Sequence, residues 1–326
     1  MKLLKILTCL SLLTAFTYAN ESLLNLHKNL IEKPSITKTE TEAVDYLYNH
    51  LQSLGWKVEL QTVNNPSVDQ SVRRQNIFAY LGDNRDDVLL ILNSHLDVVP
   101  PYVPYKKEVA SNNKEIIYGR GSNDAKGQIA AQVTAIETLR QQSFDKINNV
   151  GVLYDVGEEG IFDGMSTAQS ILPPSLKYVV VGEPTELKQI SGHKGNMGFE
   201  IRAKGLAAHS SNPQWGINAI EKLSEAVLKL KDIKLPKDDL LGDTTIAVTK
   251  ISGGTAINKV PDEAVAYVNV RTSVPCQQTW EIIKNSDLVN EYIDLVLVDD
   301  PHDPVKVSDL LFYFLKFFCL QINTFM

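Results

Sequence analysis

Acidic and imidazole side chains recur at the ends of apolar runs in this sequence. His95-Leu96-Asp97 follows the run from Val88 to Asn93, and Glu158-Glu159 follows Val150 to Val156. Asp124 sits in Gly119-Arg120-Gly121-Ser122-Asn123-Asp124-Ala125-Lys126-Gly127, and Glu183 in Val181-Gly182-Glu183-Pro184. An α/β sheet presents its chemistry at the carboxyl ends of its strands. Imidazole and carboxylate together make a donor set for a divalent cation. The pattern points to a two-metal hydrolase.

In extended chain, residues i and i+2 point to one side, so His95 and Asp97 can share a site. His95 can bind metal through one ring nitrogen, while Asp97 holds the ring or its neighbourhood. Taken alone, His-x-Asp is more plainly a satisfied surface pair. The glycines around Asp124 permit the tight turn and close backbone approach of a ligand-bearing loop. Their spacing fits neither phosphate-binding glycine pattern, so Asp124 is read as the carboxylate bridging two metals. Adjacent acids at a strand end repel unless a cation or a proton separates their roles. We read Glu159 as a ligand and Glu158 as the base that takes a proton from activated water. A solvated Glu-Glu turn is the bland alternative. Glu183, ending an apolar strand before a proline, is read as a terminal ligand of the second metal.

The formal charge of −7 over 326 residues argues against a nucleic-acid partner, which calls for clustered Lys and Arg. Lys2 and Lys5 precede an apolar stretch from Ile6 to Phe16, with small residues at Thr17 and Ala19. Residues 1–19 therefore read as a secretory signal peptide, and the protein as secreted. Cys276 and Cys319 then remain, too few for a disulfide scaffold. The apolar run Leu310 to Leu320 is too short to span a bilayer, so no membrane partner is expected.

Helical spacing is expected from about Glu21 to Leu54, interrupted at Pro34. Strands are expected over Ile77–Leu81, Val88–Asn93, Val150–Asp155 and Tyr178–Gly182, with a helix over Lys126–Gln141. That order predicts an α/β catalytic domain with a mostly parallel sheet, at residues 20–193. Beyond it come a strand (Met197–Ala203), a helix (Ile217–Leu230), two strands (Thr244–Ile251, Ala264–Arg271), a helix (Cys276–Asn285) and a strand (Ile293–Val298). This is the ferredoxin-like order, expected as an inserted α+β domain at 194–299. Residues 300–326 are left as a remnant of the catalytic domain.

The series His95-Leu96-Asp97, Gly-Arg-Gly-Ser-Asn-Asp124-Ala-Lys-Gly, Glu158-Glu159 and Gly182-Glu183-Pro184-Thr185 resembles the signature of the M20 metallopeptidases. That family includes carboxypeptidases, aminoacylases, acetylornithine deacetylases and succinyl-diaminopimelate desuccinylases. The resemblance runs from about residue 22 to 299. It implies two zinc ions per subunit, with His95 on one, Asp124 bridging both, and Glu159 and Glu183 completing separate shells. It also implies that Asp97 supports His95 and that Glu158 is the general base.

The inserted domain resembles the family's lid and dimerisation domain, which implies a homodimer. The histidine of Gly205-Leu206-Ala207-Ala208-His209-Ser210-Ser211 would reach a partner subunit's site and stabilise an oxyanion; without the resemblance, His209 is a loop or helix-start histidine. Asn258 and Arg271 resemble substrate-polar and carboxylate-binding positions. The Arg fork suits a terminal carboxylate, and a surface Arg fits that position equally well.

The family supplies a further zinc-binding histidine after the lid. Of the six histidines only His302 lies beyond residue 299, at the domain junction. The expectation is a C-terminally truncated chain with one metal position compromised. A secretory route favours a metallocarboxypeptidase acting on peptides. The alternatives are an N-acyl-amino-acid deacylase and an inactive homologue that serves as a binding protein.

Overall fold

Period-two burial builds the first sheet. In the strand Gln75–Tyr80, Ile77 and Ala79 enter one apolar cluster while Phe78 and Tyr80 enter another, as alternation across a pleat requires. The strand Val150–Asp155 is buried at every position, which is what a sheet covered on both faces demands. The computed structural model describes residues 21–188, 190–298 and 301–306. The segment 1–19 expected as a signal peptide, together with residues 20, 189, 299–300 and the stretch from 307 onward, lies outside the described residues. Two compact units divide the chain between Leu187 and Lys188.

The first unit contains helix α1 (21–31) and α2 (Thr41–Ser53), strands β1 (Lys57–Thr62), β2 (Gln75–Tyr80) and β3 (Leu90–His95), and the hairpin β4 (Lys106–Val109) and β5 (Glu115–Tyr118). Helix α3 (Lys126–Gln141), β6 (Val150–Asp155), α4 (Asp163–Ala168) and β7 (Tyr178–Val181) follow. The main sheet has the order β1-β2-β6-β3-β7. It is mixed: β3 runs parallel to β6 and β7, whereas β2 is antiparallel to β1 and β6.

One face of this sheet packs on Leu26 and Leu30 of α1, Ala43, Val44, Leu47 and Leu51 of α2, and Ile129, Ala130, Val133 and Ile136 of α3. Truncating one such leucine costs about 2–5 kcal/mol. The register pairs His95 with Asp155 and Leu90 with Tyr178. The carboxyl ends of the parallel strands, where His95, Glu158-Glu159 and Glu183 stand, therefore fall at one edge.

The second unit is a four-stranded antiparallel sheet flanked by two helices. Its elements are β8 (Gly195–Lys204), α5 (Ala219–Lys229), β9 (Thr245–Gly253), β10 (Glu263–Thr272), α6 (Cys276–Lys284) and β11 (Ile293–Leu297). The sheet order is β9-β10-β8-β11, and the chain order is the β-α-β-β-α-β expected from the apolar periodicity. Met197, Phe199, Ile201 and Ala203 alternate inward from β8 onto Leu223, Ala226, Trp280 and Ile283. Asn218 caps α5 by accepting from the Ile220 amide. His302 exchanges backbone hydrogen bonds with Asn196. Among the described residues no helix is long and apolar enough to cross a membrane.

Candidate metal centre

His95 closes β3 with its ring buried, 2% exposed. Its Nδ1 donates to the main-chain carbonyl of Asp97 at 2.9 Å, while the Asp97 carboxylate stays 3.7 Å away, beyond hydrogen-bonding reach. That bond keeps the Nδ1 proton in place and turns Nε2 outward, where it can hold either a proton or a metal. Nε2 lies 2.9 Å from Asp124 Oδ1, 3.8 Å from Glu183 Oε1 and 3.9 Å from Glu158 Oε2.

The Asp97 carboxylate, fully buried, holds the neighbouring loop instead. It accepts from Thr37 Oγ1 at 2.8 Å and from the backbone amides of Glu158 and Glu159 at 2.9 and 3.1 Å. One side chain thereby orients both acids that follow β6. Gly157, with φ of +79°, starts that loop in the left-handed region where glycine is at home.

Asp124 ends a loop closed by the bonds from Ser122 N to Gly119 O and from Lys126 N to Gly121 O. Gly121 takes a φ of +87°, and a Cβ there would meet Val98. Helix α1 and the turn after it brace this loop from behind: His27 Nε2 donates to Ser122 O at 2.8 Å, and buried Lys126 donates to Leu30 O and Lys33 O. Burial pushes the Lys126 ammonium down to about 7.

The electrostatics of the cluster are those of crowded carboxylates. Burial raises Glu158, and its neighbours Asp97 and Asp124 raise it further against the pull of His95. Burial likewise raises Glu159 and pushes Glu183 up to about 7. For His95, burial alone would lower the pKa, but Asp97, Glu183 and Glu158 outweigh it and bring the imidazole to about 10. Asp155, paired with His95 across the strands and accepting from Asn93, is lifted by burial to about 6.

Without another cation, the imidazolium is the charge that balances these acids. Donor atoms of His95, Asp124 and Glu159 all lie within 4.8 Å of one another, and Glu158 and Glu183 approach the same imidazole. Ligand atoms about 2.1 Å from one ion are themselves about 3–4 Å apart. Imidazole and carboxylate without thiolate suit a divalent ion of the zinc, manganese or cobalt type. The residues fit such an ion in both spacing and charge.

The structure thus brings together His95, Asp97, Asp124, Glu158, Glu159 and Glu183. Thr37, His27 and Lys126 also serve the site; of these only Lys126 carried a signal, its place two residues after Asp124. The other three expected residues belong to the second unit. His209 and Asn258 line one open pocket with Ala207, Ala208 and Lys259. The His209 Nδ1 accepts from the Ser211 amide at 3.2 Å, which leaves its exposed Nε2 as a donor. Arg271 is exposed and faces Thr245 and Asn196 near the far end of β10. It lies roughly 25 Å along the strand from the pocket end.

The model of the peptidase dimerisation domain, M20_dimer, matches residues 191–289. A peptidase M20 domain-containing protein of Schizosaccharomyces pombe is 38% identical over 290 residues, covering 89% of this chain and 67% of that protein. A probable carboxypeptidase of Talaromyces marneffei is 36% identical over 295 residues, covering 83% and 64%. The chain spans about two thirds of the length of these relatives.

Among solved structures, a tripeptidase from Staphylococcus aureus aligns with a TM-score of 0.69 at 20% identity, over 89% of this chain and 78% of that one. An M20 family metallo-carboxypeptidase from Sulfolobus solfataricus aligns at 0.59 and 21%, over 88% and 79%. These two likenesses are of fold. The sequence identity extends through most of the chain, and on that ground the protein belongs to the M20 peptidase family.

Proposed function

We propose that this protein is a metal-dependent hydrolase of peptide bonds, working as a carboxypeptidase. The observation that carries the reading is the convergence of Asp124, Glu158 and Glu183 on the Nε2 atom of His95, within 3.9 Å, with Glu159 beside them. His95, Asp124, Glu159 and Glu183 would hold two zinc ions, Asp124 serving both. When bound, the metal supplies Lewis acidity that polarises a scissile carbonyl and acidifies a water molecule.

The chain's own groups do the rest. Glu158 has its carboxyl raised by burial, which suits it to accept a proton from water and return it to the leaving amine. Asp97 holds the Glu158 and Glu159 amides, and its carbonyl keeps the His95 lone pair available. His209, contributed by a second copy in a homodimer, donates from Nε2 to the developing oxyanion. Asn258, in the pocket of His209, hydrogen-bonds the substrate backbone; Arg271, at the other end of its strand, would meet the same substrate only from the other subunit, where its fork takes a carboxylate.

Relatives described as probable carboxypeptidases support the peptide substrate class. The leader-like segment 1–19 supports secretion, and a secreted product beginning at Asn20 tests that. The functional test is hydrolysis of N-blocked dipeptides with free or amidated C-termini, before and after chelation. Release of the C-terminal residue only from the free acid, lost with chelator and restored by zinc, is expected. No turnover with zinc present would reject the reading.

A further inference from the structure

Behind the loop that carries Glu158 and Glu159 lies a buried ionic cluster with no part in the chemistry above. Arg74, just before β2, is 2% exposed. Its guanidinium donates Nε to Glu40 Oε2 at 3.0 Å and Nη2 to Glu40 Oε1 at 3.1 Å. The same group donates Nη1 and Nη2 to the carboxylate of Asp163, the second bond at 3.0 Å. Glu40 is fully buried and also accepts from the Lys38 amide. Asn65 Nδ2 donates to Asp163 Oδ2 at 2.9 Å.

Asp163 is the residue where the loop from Gly157 re-enters regular structure as α4. The loop is closed across its base by bonds from the Ile161 and Phe162 amides to Gly157 O. A Cβ on Gly157 would stand 2.4 Å from Asp163 Oδ1 and 2.7 Å from Arg74 Nη2, so the ion cluster abuts the residue preceding Glu158. On the far side of the loop, the Glu158 and Glu159 amides are spent on Asp97. Both anchors return to one segment: Thr37 binds Asp97 and Glu40 binds Arg74.

We infer that the Glu40–Arg74–Asp163 cluster is a positioning device for Glu158 and Glu159, fixing the back of their loop while Asp97 fixes its front. Buried ion clusters are generally no more stabilising than apolar packing of the same volume. What this one supplies is a defined position, because a planar guanidinium forked onto two carboxylates admits little displacement. The consequence for metal binding rests on the proposed metal centre; the consequence for the loop does not.

The test compares the full chain with Asp163→Ala, Asp163→Asn and Leu47→Ala, the last a core truncation in α2 remote from the loop. Amide hydrogen exchange is read on metal-free protein, and cobalt(II) affinity is read by absorbance. In Asp163→Ala the Glu158 and Glu159 amides are expected to exchange at least about 10-fold faster, and cobalt affinity to fall about 10–100-fold, the range for groups that support metal ligands. Asp163→Asn, which keeps an acceptor for Arg74, recovers part of both losses. Leu47→Ala lowers Tm and leaves cobalt affinity unchanged.

Unchanged exchange at Glu158 and Glu159 in Asp163→Ala overturns the inference, as does faster exchange with cobalt affinity intact. If the unaltered chain binds no cobalt, the metal centre fails, and the exchange result alone decides whether the cluster positions the loop.

Discussion

The Nε2 atom of His95 lies 2.9 Å from Oδ1 of Asp124, across 29 positions of sequence. Parallel pairing of β3 with β6 sets the first of these side chains, and the glycine-rich loop before α3 sets the second. The ring is turned toward Asp124 because its other nitrogen is tied to the Asp97 carbonyl. Either a proton or a metal ion can occupy the position between them.

Proton and metal therefore compete. In the metal-free protein the neighbouring acids outweigh burial and hold His95 near 10, and Glu183 is raised to about 7. A metal must displace those protons, so its affinity rises with pH through about 7 and on to about 10, with net proton release. Calorimetric titration of cobalt in buffers of different ionisation enthalpy measures this. Affinity independent of pH is the opposing result.

Glu158 and Glu159 are neighbours with different expected roles. Glu158→Gln should lower kcat about 10²–10⁴-fold while retaining metal. Glu159→Gln should bind less metal under the same dialysis. Metal analysis beside a peptidase assay distinguishes them, and equal metal loss in both variants would remove the assignment of Glu158 as base.

Glu183 links the site to stability. Its folded pKa of about 7 exceeds the ordinary 4.5, so its stabilising protonation is complete below pH 4.5 and lost as pH rises through 7. Metal-free Glu183→Gln should match the unaltered protein in acid and exceed its Tm above pH 7. With the side chain 38% exposed, solvent screening limits the gain to about 1 kcal/mol, or roughly 2 °C. Thermal unfolding across that pH range is the measurement, and a lower Tm for the variant at pH 8 contradicts it.

Asp97→Asn puts an amide where the carboxylate accepts from Thr37, Glu158 and Glu159. At least one buried donor then goes unmet, at a cost of about 1–3 kcal/mol. Cobalt affinity should fall about 10–100-fold. Chemical denaturation and cobalt titration report the two effects, and wild-type values in both would show that the carboxylate is dispensable.

The site was legible because each acid or imidazole interrupts an apolar strand pattern at its end, where solvation of a charge needs a reason. Asp97 was legible as a supporting group, but its division of labour was not. Three hydrogen-bond donors claim the carboxylate, and the carbonyl is left for the ring. Arg74, Glu40 and Asp163 were not legible, since a loop residue's burial is decided by what packs over it. Strand β1 was missed because Lys57–Thr62 lies at the sheet margin, with no position fully buried. Strand direction also escaped the pattern: alternation in β2 is the same whether it pairs parallel or antiparallel, and it pairs antiparallel. The three strands that lead to His95, Glu158 and Glu183 are the ones joined by parallel pairings.

In the proposed centre His95 and Asp124 share a metal ion. Anomalous diffraction at the zinc edge, from crystals grown with zinc, tests it most directly. An anomalous peak is expected about 2.0–2.2 Å from both His95 Nε2 and an Asp124 carboxylate oxygen. Zinc bound only elsewhere, with the His95–Asp124 hydrogen bond intact, would contradict it.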